Sequence, residues 1–100
     1  MRFMETAPET LNELIILLRT ALLNPNQRNS AVKNFQNCMF SHKEPITGAS
    51  ESQWSILNEL AYDIDFYEPN AEIRSEDPSL YGDVQFAREI ETTLRKLDKN

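Results

Sequence analysis

The sequence predicts an all-α protein, a single-domain antiparallel four-helix bundle, on three observations. Four stretches repeat apolar residues at three- and four-residue spacing, the pattern that lines one face of a helix. Prolines and turn residues fall between those stretches. Two glycines, Gly48 and Gly82, are too few for the many tight turns of an all-β fold. One hundred residues make one domain, and 40% apolar with 26% charged residues is the composition of an ordinary globular protein.

The first helix is expected over 8–23. Pro8 suits a first turn, and Thr10 with Glu13 has capping-box spacing slightly further in. Leu11, Leu14, Ile15, Leu18 and Leu22 form its stripe, and Ile16, Leu17 and Leu23 widen it, so burial on more than one side is expected. Asn24-Pro25 ends it, because a residue before proline is driven out of the helical region. The second helix is expected over 27–41, capped by Asn26, with Ala31, Val32, Phe35, Cys38 and Met39 inside. A loop containing Pro45 and Gly48 follows.

Ser50 or Ser52 is expected to cap a third helix over 52–67, Ser50 and Gln53 having capping-box spacing, and its inner stripe is Trp54, Leu57, Leu60, Ala61 and Ile64. Pro69 ends it. Three turn signals between Glu68 and Gly82 predict a structured loop with a short helical turn near 71–74. Asp83 is expected to cap the last helix, over 83–97, with Val84, Phe86, Ala87, Ile90, Leu94 and Leu97 on its apolar face. Acid at its start and Arg95, Lys96 and Lys99 at its end suit the helix dipole.

Charge is the most uneven property of the chain. Between Glu59 and Glu91 lie ten acidic and two basic residues, a net of −8, while the remainder nets +2. Aromatics interleave with the acids, in Tyr62-Asp63-Ile64-Asp65-Phe66-Tyr67-Glu68 and at Tyr81-Gly82-Asp83. Such a patch attracts a basic partner and repels nucleic acid and anionic lipid. Glu59 and Asp63, one turn apart, repel each other by a few tenths of a kcal/mol, roughly, so something else should favour them. The plainer alternative is a solvated helix face followed by a polar loop.

Enzyme chemistry has few candidates. His42 is the only histidine and Cys38 the only cysteine, which leaves neither a zinc site nor an internal disulfide. Cys38 reads as a small buried hydrophobe and His42 as an exposed residue at a helix end. Glu59 and Asp63 could hold magnesium with water and phosphates, as in small all-α phosphohydrolases, but the paired acidic motifs of those enzymes are missing. Basic residues are too scattered for a nucleic-acid face. No apolar run is long enough to span a bilayer and no signal peptide is recognisable, so a cytoplasmic location without cofactors or membrane contact is expected. A monomer or a weak dimer is expected, with exposed Phe3 and Phe66 as the points that would pair.

The run Leu60-Ala61-Tyr62-Asp63-Ile64-Asp65-Phe66-Tyr67-Glu68-Pro69-Asn70, then Arg74, then Asp83 opening a helix that ends Leu94-Arg95-Lys96-Leu97, resembles the C-terminal half of colicin-D-type immunity proteins. The resemblance covers 54–97. It implies a non-enzymatic inhibitor of a basic nuclease toxin, whose carboxylates take the places of substrate phosphates. Carried onto this chain, it points to Asp63, Asp65, Glu68 and Glu72, with Glu59, Glu76 and Asp77 as outer charges. Tyr62 and Tyr67 would be packing anchors, and Arg74 would pin the loop by pairing with a local carboxylate. An acidic adaptor module without catalysis is the other non-enzymatic expectation.

Overall fold

A computed structural model describes residues 7–99, so the expectation for Phe3 lies outside the described residues. Within that span the fold is all-α, with helices α1 (Leu11–Leu23), α2 (Arg28–Ser41), α3 (Glu51–Asp63), α4 (Ala71–Arg74) and α5 (Asp83–Lys99). Among the described residues no helix is long and apolar enough to cross a membrane.

Helix α1 starts three residues later than the sequence suggests. Thr10 is extended (φ −136°, ψ 160°), and its hydroxyl accepts a hydrogen bond from the Glu13 N–H at 3.2 Å. The Glu13 carboxylate accepts from the Glu9 N–H at 2.6 Å and not from the Thr10 N–H that a full capping box would use, so only the Thr10 half of the box forms, and Pro8 stays outside the helix. Asn24, pushed extended ahead of Pro25, ends α1 as expected.

Asn26 is not a cap. It lies in a 3₁₀ turn, Pro25–Gln27, and α2 begins at Arg28. Arg28 instead turns back on α1, donating to the Ala21 carbonyl at 2.6 Å and the Leu22 carbonyl at 3.0 Å. These are carbonyls that a helix end leaves without partners, so one cation closes the preceding helix.

The capping box at α3 forms as read: the Ser50 hydroxyl accepts from the Gln53 N–H, and the Gln53 side chain accepts from the Ser50 N–H. Helix α3 gives way at Ile64–Phe66 to a 3₁₀ turn, four residues before the expected end. Asp83 is the first residue of α5 and not a residue ahead of it.

The long helices touch in a ring: α1 with α2, α2 with α3, α3 with α5, and α5 with α1. Leu14, Leu18, Phe35, Met39, Leu57, Phe86 and Ile90 fill the middle and are almost wholly removed from solvent. The loop between α2 and α3 adds Ile46, because the Leu11 N–H donates to the Thr47 carbonyl at 2.8 Å and holds that loop beside the start of α1. Gly48 has φ +93°, where a side chain is strained. The widened stripe of α1 is not buried all round, since Ile16 and Leu23 are exposed. On α5, Val84 belongs to the outside and is 70% exposed.

Candidate functional site

The acidic stretch is organised from its base. Tyr67 and Tyr81 form an isolated parallel bridge, in which the Tyr81 N–H donates to the Phe66 carbonyl and the Glu68 N–H donates to the Tyr81 carbonyl, each at 2.8 Å. Residues 68–80 are thereby gathered into a lobe standing on two tyrosines.

Each tyrosine anchors the lobe to a different helix. The Tyr67 ring lies 4.4 Å from Phe86 between centroids, and its hydroxyl donates to Asp83 Oδ1 at 2.6 Å. Asp83 also meets the Arg28 guanidinium at 3.5 Å, and Arg28 sits 5.1 Å above the Phe86 ring. The Tyr81 hydroxyl donates to Asp63 Oδ2 at 2.7 Å and lies 3.0 Å from the Asp63 carbonyl. Partial burial, and then the carboxylate each one bonds, raise both phenols above the ordinary tyrosine value, with Arg28 opposing the rise at Tyr67.

Inside the lobe the bonds are local. Asn70 caps α4, its side-chain oxygen accepting from Glu72 N–H at 2.8 Å and Ile73 N–H at 3.3 Å. Arg74 does pin the loop, but its partner is the Glu68 carbonyl at 2.6 Å, in place of a carboxylate. The guanidinium fills the space beside Gly82, where an added Cβ would stand 2.8 Å from Arg74 Cζ. Asp77 accepts from the Ser79 hydroxyl and N–H, at 2.8 and 3.0 Å, and these donors hold its carboxyl below the usual range.

The candidate residues fall into three groups. Glu72, Glu76 and Asp77 are exposed on the lobe. Asp65 and Glu68 line a groove between α2 and the 3₁₀ turn, together with Lys33 and Gln36. Glu59 and Asp63 face the other way, into a cleft that Glu89, Thr92 and Lys96 of α5 complete. Tyr62 is 63% exposed, whereas Tyr67 is half-buried with its hydroxyl committed to Asp83.

Sequence reasoning missed three contributors. Phe40, also exposed, lies against Tyr62 with centroids 5.1 Å apart; its signal was an aromatic one position off the inner stripe of α2. Gln36 donates to both the Ala61 carbonyl and Asp65 Oδ1 at 2.9 Å, and no local pattern marks it. Arg28, a cation directly after a helix stop, was readable as a C-terminal partner for α1 but not as the partner of Asp83.

No group of three or more His, Cys, Asp or Glu residues among the described ones is placed to hold a metal ion. Burial pushes the Cys38 thiol up, away from its reactive thiolate form. His42 Nδ1 lies 2.8 Å from the Cys38 carbonyl, which only accepts, so that nitrogen carries the proton and is no base for the thiol 3.8 Å away. Comparison of the chain with protein-family models, with curated proteins and with solved structures finds no match.

Proposed function

We propose that the protein is an immunity-type inhibitor, which binds a basic nuclease toxin and occludes its active site with acidic side chains. The observation that carries this reading is a net charge of −8 between Glu59 and Glu91, presented in part by a lobe whose base is fixed. A fixed base lets Glu72, Glu76 and Asp77 meet a partner with less ordering to be done at the moment of contact. The four longer helices, read as an antiparallel bundle, supply the support for that lobe; their ring of contacts and the short link between α1 and α2 favour this arrangement. The expected setting is the cytoplasm, with the protein a monomer or weak dimer and free of cofactors.

The test is a rescue assay in which the protein encoded beside this gene is expressed with and without this chain. Survival only in the presence of the chain, lost on Glu72→Lys with Glu76→Lys, is the expected result. Both substitutions are exposed, so an unchanged melting temperature shows the fold is kept. Survival that is indifferent to the double substitution, or a harmless neighbour, contradicts the reading.

A further inference from the structure

The seam between α2 and the α3 end is built of successive cross-links. Phe40 stacks against Tyr62, tilted by 46°. One helical turn back along α2, Gln36 bonds the Ala61 carbonyl and Asp65 Oδ1. The two contacts are four residues apart on α2, about 6 Å along its axis. Asp65 is exposed, and only its Oδ1 is engaged by Gln36. A carboxylate oxygen therefore faces solvent one turn from two exposed aromatic rings. Lys33 lies one further turn away, along the groove that Asp65 and Glu68 line, so a cation is repelled from that end and favoured at the aromatic end.

An aromatic face beside a carboxylate suits one side chain above others. A guanidinium is flat, weakly hydrated and always charged, so it stacks on a ring while donating in its own plane. An ammonium is compact and strongly hydrated and gains less from a ring. We propose that Phe40, Tyr62 and Asp65 form a receptor for one arginine side chain of a basic protein partner. The ring of Tyr62 takes the guanidinium face, Phe40 holds Tyr62 in place, and Asp65 accepts an in-plane N–H. The inference rests on the basic-partner reading above, and it adds an anchor that is aromatic where the lobe is only charged.

The probes are an eight-residue arginine peptide and its lysine counterpart, titrated into the ¹⁵N-labelled chain. The expected result is tighter binding of the arginine peptide by about two- to five-fold, the range a surface cation–π contact supplies. Amide shifts should concentrate at 36–40 and 61–66. Tyr62→Leu keeps the apolar area and removes the ring; it should equalise the two peptides without changing the melting temperature. Equal affinities in the unmodified protein, no binding of either peptide, or a preference that survives Tyr62→Leu each overturns the proposal. An arginine preference that behaves as expected while the rescue assay fails overturns the toxin-inhibitor reading and leaves the receptor standing.

Discussion

Tyr81 shows how a single hydroxyl links the lobe to the core. It reaches Asp63 on α3 twice, through the carboxylate and the carbonyl. Tyr81→Phe leaves those acceptors without their donor and should cost about 1–3 kcal/mol in a urea titration. The phenol's proton is held above the ordinary tyrosine value in the folded state only. That contribution to stability is complete below about pH 10, where an unfolded tyrosine starts to ionise, and is lost as pH rises further. Melting temperature should therefore fall above pH 10, and less steeply in Tyr81→Phe than in the unmodified protein. At this scale the sequence was a partial guide. The acid–aromatic interleaving marked Asp63 and Tyr67 as notable, yet their hydrogen-bond partners, Tyr81 and Asp83, lie eighteen and sixteen residues away, which no local spacing encodes. Cys38, by contrast, needed only its place on an apolar stripe, and it is buried.

Elements were legible where their ends are fixed by neighbours in sequence. The Ser50 and Gln53 box, the Thr10 hydroxyl on the Glu13 N–H, the stop at Asn24 ahead of Pro25 and the turn at 71–74 all work within four residues, and all form. A boundary slipped where a distant group intervenes: the lobe's bridge to Tyr81 draws Phe66 and Tyr67 out of α3. Ser50→Ala removes one side of a complete box and should cost about 0.5–2 kcal/mol, read from thermal or urea unfolding. Gly82→Ala tests the lobe itself. Its methyl group meets the Arg74 guanidinium, which must swing away and give up the Glu68 carbonyl. Amide exchange across 68–80 should accelerate while the helices keep their protection, and unchanged exchange there would show that Arg74 does not hold the lobe.

For the molecule as a whole, the core follows the predicted stripes closely, because burial of apolar faces against one another is what the helical period encodes. What the period does not encode is which outer surface is used. Glu59 and Asp63 were grouped with the lobe acids, but they face α5 instead, where Asp63 serves Tyr81. If those two residues held magnesium, millimolar magnesium would raise the melting temperature in proportion to site occupancy. The binding account predicts no rise. Its central claim is that a fixed acidic surface meets a basic nuclease, and electrostatic attraction of that kind governs the rate of encounter. The most direct measurement is the association rate constant with the neighbour-encoded protein at low and at physiological ionic strength. The account predicts a rate that falls steeply with added salt, and one that is already low in Glu72→Lys with Glu76→Lys. A rate indifferent to both salt and that substitution, or no complex at all, would contradict it.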